Sequence, residues 1–174
     1  MVMTHYMELL TSPMNLLLFM AIPVVLAETL AITEFYILYT DAQTGPVRAL
    51  NRAAGIAVGI YFLGVFVYLM INAVVPLTQA GQWRGWIDQL AVGAYLAGVV
   101  PLAGIAALEL GLIFKDRKPR QKLAIHAALI SLFLVVGHVA MVFGMVDPRL
   151  GGWVESPAQM QGGAAPAGGM QHSH

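Results

Sequence analysis

KDRKPRQK, residues 115–122, sets five Lys and Arg within eight positions between two long apolar runs. Arg48 and Arg52 occupy the break between the first two runs, and of the nine basic residues only Arg84 and Arg149 lie elsewhere. Basic residues in short loops are retained on the cytoplasmic side of a membrane. The distribution therefore predicts a topology: segments 41–52 and 115–122 inside, segment 78–87 outside, and both termini outside. Trp83, Trp86 and Trp153 would then mark the outer boundary, and Tyr36 and Tyr39 the inner one.

Composition carries the same message. The 174 residues are 59% hydrophobic and 10% charged, against about 25% charged in soluble domains. Apolar runs at about 14–39, 53–77, 88–114 and 123–146 are each long enough to cross about 30 Å of hydrocarbon at about 1.5 Å per residue. We expect an all-α integral membrane protein: a four-helix transmembrane bundle over residues 1–150, multi-pass in a bacterial inner (cytoplasmic) membrane. The first run is too long, and too poor in preceding basic residues, to be a cleaved signal. A lipid bilayer is then the obligatory partner, and a homo-oligomer or larger membrane complex the expected assembly. Zero net charge gives nucleic-acid binding no electrostatic basis.

Within the runs, Gly55 and Gly59 form a GxxxG, and Ala94, Gly98, Gly104 and Gly111 recur on the third. Small residues let membrane helices approach closely. Pro23, Pro76 and Pro101 each remove a backbone donor and predict kinks. From Gly151 the chain reads GGWVESPAQMQGGAAPAGGMQHSH. This composition cannot bury a core, so residues 151–174 are expected to form a disordered periplasmic tail.

The candidate site residues are the ionisable and soft side chains inside or beside these runs. Glu28, Glu34, Glu109 and His126 form a predicted intramembrane polar cluster, because a charge in hydrocarbon is costly and usually functional. Glu34, Glu109 and His126 are placed roughly 6–9 Å from the inner boundary, with Glu28 nearer the midplane. His138, Met141 and Met145 fall on one face of the fourth run, and imidazole with thioether suits copper, especially Cu(I). His5 and Glu8, beside Met3 and Met7, form a second candidate metal pair at the N-terminus. Met170, His172 and His174, with Met160, would capture metal from the tail.

These residues support two functional expectations. The first is a small membrane protein that binds or handles a transition metal, copper foremost, from the periplasmic side, in a permease-like role. The second is a b-type cytochrome or a quinol-linked anchor or accessory subunit of a respiratory membrane complex, with haem b as cofactor. His126 and His138 stand twelve residues apart on one helix, about 18 Å, and cannot ligate the same iron. With no cysteine there are no thiolate ligands or thiol nucleophiles, and no HExxH, P-loop or GxSxG points to an enzyme.

The topology is directly testable. A reporter fused after His174 should be active only in the periplasm, and one inserted near Lys118 only in the cytoplasm. Neutralising Lys115, Arg117, Lys118, Arg120 and Lys122 together should weaken that orientation. The opposite reporter pattern would overturn every assignment of sides.

Overall fold

Three of the four apolar runs begin their helices at a proline. Pro13, Pro46 and Pro119 sit in the first helical turn, where the missing N–H costs nothing and the fixed φ already suits the helix. The computed structural model describes residues 2–42 and 44–154. It contains a short helix α1 (His5–Leu10), four long helices α2 (Pro13–Thr40), α3 (Pro46–Ala80), α4 (Gly85–Glu109) and α5 (Pro119–Met145), and a 3-10 turn (Pro148–Gly151). Among the described residues there is no strand. All four long helices are long and apolar enough to span a membrane.

Each long helix packs beside the next, and α5 closes the ring by touching α2. The core is centred on Leu30, Val58, Phe62, Leu102 and Ile105, all buried. Phe62 anchors an aromatic cluster, with ring centroids 5.2 Å from Tyr95 and 5.9 Å from Phe133. Outward, the same helices expose Ile32, Phe35, Ile60, Val100 and Val135. A surface this apolar suits a hydrocarbon surround.

Glycine decides the closest approach. A Cβ on Gly59 would collide with the Ala106 side chain and the Leu102 carbonyl, so the GxxxG lies where α3 meets α4. Gly98 faces Phe133 and Gly104 faces Leu129, which seats α4 against α5. Gly111 plays a different part from the packing role expected of it. It takes a φ of 71° and ends α4, with its N–H bonded to Leu108 O and the Leu112 N–H to Ala107 O at 2.8 Å. This is the Schellman arrangement, which needs a residue free to adopt left-handed backbone.

Several boundaries differ from the sequence expectation, the fourth run among them, which becomes helical at Pro119 rather than 123. The third run stops being helical at Glu109 rather than near 114, because Gly111 closes it early. The second begins at Pro46 rather than 53, so Arg48 and Arg52 belong to α3 rather than to a loop.

The internal prolines act through widened turns. A π-helical stretch, Leu17–Ala21, precedes Pro23, and another, Met70–Val74, precedes Pro76. The extra residue relieves the clash between the proline ring and the preceding turn. Phe19 O, which Pro23 has no N–H to engage, accepts instead from the Tyr95 hydroxyl of α4. Tyr61 on α3 likewise donates to Leu18 O at 2.8 Å.

The amino-terminal helix lies across the tryptophan end of the bundle. Thr4 caps α1 and donates its hydroxyl to Gly144 O at 2.6 Å. Tyr6 packs in the space that Gly144 leaves by lacking a side chain. Packing continues past residue 150 to Trp153, whose side chain rests on Gly85. The remainder of the tail, including Met160, Met170, His172 and His174, lies outside the described residues.

Gly59→Ala should destabilise the detergent-solubilised protein by about 1–3 kcal/mol through overpacking. Gly64→Ala, five residues on with nothing near the new methyl, should be neutral or stabilising by up to about 1 kcal/mol. Paired thermal melts check this: equal behaviour of the two variants would remove the α3–α4 contact from the account.

Candidate functional site

At the end of the bundle carrying the 110–118 connection, all four long helices contribute polar side chains to one buried volume. Helix α2 brings Thr33 and Glu34, α3 brings Arg48 and Asn51, α4 ends in Glu109, and α5 brings His126. Glu34 is 2% exposed, His126 1%, Glu109 8% and Asn51 not at all. Arg48 Nη2 donates to both Glu109 carboxylate oxygens, at 2.9 and 3.1 Å, while its Nη1 donates to Asn51 Oδ1 at 2.7 Å. The Asn51 amide then donates to Thr33 Oγ1 at 2.9 Å and Glu34 Oε2 at 3.2 Å.

His126 stands between the two carboxylates. Its Nδ1 is 2.7 Å from Glu34 Oε2 and its Nε2 3.7 Å from Glu109 Oε1. The Nδ1 contact is not aligned as a hydrogen bond and the Nε2 contact is too long for one, so both ring nitrogens and Glu34 Oε1 are buried without a hydrogen-bond partner. The 2.7 Å approach is a close electrostatic contact rather than a directed bond.

The structure thus brings together Glu34, Glu109 and His126 but leaves Glu28 apart. Glu28 is exposed on the outside of the bundle, six residues before Glu34 and turned to another side of α2. Arg48 was read from the sequence only as a loop charge. Its early helix start carries it into the cluster, with Asn51 one turn on. An intramembrane carboxylate needs a counter-charge, and Arg48 and Asn51 share a helix face at i and i+3, which is the signal the sequence offered. The Arg48 guanidinium already engages both Glu109 oxygens, which leaves that carboxylate committed to a cationic partner. Among the described residues no group of three or more His, Asp or Glu side chains is arranged to hold a metal.

The opposite end carries a second polar set. Asp88, fully buried, accepts from the His5 backbone N–H at 2.7 Å and lies 2.6 Å from His5 Nδ1. Arg84 N also donates to it, at 3.1 Å, and the Arg84 side chain pairs with Glu8 at 2.8 Å. His5 and Glu8, expected as a metal pair, are therefore each tied to α4 or its approach, and they serve to clamp α1. Asp88 and Arg84 were the residues missing from the sequence reading.

His138, read from the sequence as a candidate ligand on one face with Met141 and Met145, is not enclosed by the bundle. It is exposed on α5, with Nδ1 2.6 Å from Leu134 O of its own helix. The face it shares with Met141 and Met145 looks into a surface furrow between α2 and α5. That furrow holds two adjoining crevices. One, of about 320 Å3, is lined by Met3, Met7, Met20, Met141 and Met145 together with Tyr6, Leu10, Thr11 and Leu16. The other, of about 180 Å3, is lined by Met20, Met141, His138 and Glu28 above the aromatic floor of Phe62 and Phe133. Tyr6, Met20 and Met141 line both.

This arrangement can be set beside known proteins. Residues 1–160 match a family of unknown function, DUF6803. The chain belongs to that family. No curated protein and no solved structure matches it. The family supplies no reaction, so the chemistry has to be read from the side chains.

Breaking the buried ion pair should be costly. Arg48→Met leaves Glu109 with a buried, unpaired charge and should destabilise the protein by about 3–5 kcal/mol. Adding Glu109→Leu should recover much of that loss, since replacing both partners by apolar groups is often neutral. Melts of the single and double variants measure the coupling, and simple additivity would show that the pair does not stabilise the bundle.

Proposed function

We propose that this protein handles a soft transition-metal ion, Cu(I), at the periplasmic side of a bacterial inner membrane. In this reading the basic end of the bundle faces the cytoplasm, and α1, the tryptophans and both termini face outward. The observation that carries it is the convergence of Met3, Met7, Met20, Met141 and Met145 on one crevice. They come from α1, its approach, α2 and α5, positions separated by up to 142 residues in sequence (145 minus 3).

Thioethers are soft, polarizable donors that favour Cu(I) over harder cations. Leu10 and Leu16 fill part of the same crevice by packing alone, and the sulfur is what the five methionines add to it. The shared residues Met20 and Met141 continue the thioether surface into the second crevice, where His138 and Glu28 add an imidazole and a carboxylate. An ion entering from outside meets sulfur first and then nitrogen and oxygen, a graded series suited to capture and passage.

One observation favours a second reading, a quinol-linked membrane subunit. The crevice of about 180 Å3 has an aromatic floor and two hydrogen-bonding side chains, His138 and Glu28, at its sides. A flat ring with polar edges would suit it. Haem b would need an axial histidine facing the group, and His126 is enclosed by Glu34 and Glu109. Among the described residues that leaves His138 and His5 for such a role.

Titration of the purified full-length protein with Cu(I), against a competing chromogenic chelator, tests the first reading. Wild type should bind Cu(I) stoichiometrically, and Met20→Leu with Met141→Leu should weaken binding by at least about tenfold while conserving volume. Equal affinity in the variant would dismiss the thioether crevice. An optical spectrum of the same preparation separates the readings, because a Soret band would support the cytochrome alternative.

A further inference from the structure

Copper handling uses none of the buried cluster at the basic end, and that cluster has its own unsatisfied chemistry. Glu34 and His126 are 2% and 1% exposed. Glu34 Oε1, His126 Nδ1 and His126 Nε2 nevertheless lack aligned hydrogen bonds. Buried polar atoms without partners are costly and rare in folded proteins, and three on two adjoining side chains point to a ligand bound there.

Charge narrows what that ligand can be. The groups facing His126 are Glu34 and Thr33 from α2, Arg48 and Asn51 from α3, and Glu109 from α4. Two carboxylates against one guanidinium leave one negative charge, and an added proton cancels it. A metal cation would be repelled by Arg48, which already engages both oxygens of Glu109. Gly55 lies opposite the ring: a Cβ there would stand in ordinary contact with Nε2 at 3.5 Å and the Glu109 side chain at 3.6 Å, and closer to Ile105, at 3.0 Å.

We propose that Glu34, His126 and Glu109 form a proton-binding site, with His126 as the group that takes the proton. On filling, a hydronium ion from water gives up its proton, an N–H bond forms on the imidazole, and water is released. On emptying, that N–H bond breaks and the proton returns to water. Glu34 and Glu109 flank the imidazolium on its two nitrogen sides and compensate its charge. Arg48, with its side chain 28% exposed, is the member that reaches the surface, and the proton exchanges along that side. The site is independent of the copper reading and would stand if that reading failed.

The test is nitrogen NMR of the full-length protein in lipid nanodiscs, with histidine ring nitrogens labelled. The His126 signals are those lost in His126→Gln. If that variant does not assemble, they are those retained when His5, His138, His172 and His174 are replaced by Asn. Expected is a reversible change between neutral imidazole and imidazolium within the pH range where the protein stays folded. Glu34→Gln removes a neighbouring negative charge and should displace that midpoint. Glu109→Gln should displace it too and stands in if Glu34→Gln misfolds. A His126 signal that never titrates, or a midpoint indifferent to both substitutions, would overturn the proposal.

Discussion

Two buried carboxylates and a buried imidazole, with a guanidinium that reaches the surface, come from four different helices and cannot be assembled one at a time. Each alone would carry a desolvation cost of several kcal/mol, and only mutual contact offsets it. Glu34 must therefore turn toward His126, Glu109 toward Arg48, and Asn51 must span the space between. Those requirements fix the rotation of α2, α3, α4 and α5 about their axes at one end of the bundle. The Gly59–Ala106 contact and the Phe62 aromatic cluster then become the packing that this rotation allows.

The opposite end is held by a different device. There α1 is clamped by Asp88 on His5, Arg84 on Glu8 and the Thr4 hydroxyl on Gly144 O. Pinning α1 in this way carries Met3 and Met7 over to Met141 and Met145 on α5. The thioether crevice is thus a by-product of the clamp, and its shape depends on residues that never touch it. Polar groups at each end hold the bundle, and the furrow between α2 and α5 is left for the softer side chains.

Widened turns before Pro23 and Pro76 add a further link. A regular helix would have left Phe19 O buried without a donor, and the Tyr95 hydroxyl supplies one from α4. Tyr95 also packs in tilted contact against Phe62 and Tyr6. One side chain therefore joins α1, α2, α3 and α4 near the floor of the lower crevice, so the proline irregularity and the crevice share a wall.

The sequence by itself determined four long apolar helices, their approximate limits and the uneven placement of basic residues, because length and hydrophobicity are local properties of the chain. It also marked Glu34, Glu109 and His126, since an ionisable group within an apolar run stands out without any neighbour. Tertiary structure decided the rest. Glu28 and His138 look as buried as Glu34 and His126 in one dimension, and only the rotation of each helix sends the first pair outward and the second inward. Arg48 and Asp88 sit near helix ends, where a charge could equally face solvent, and the partner helix settled which way each points. The methionines converge because α1 folds back over α5, a long-range contact that no spacing along the chain records.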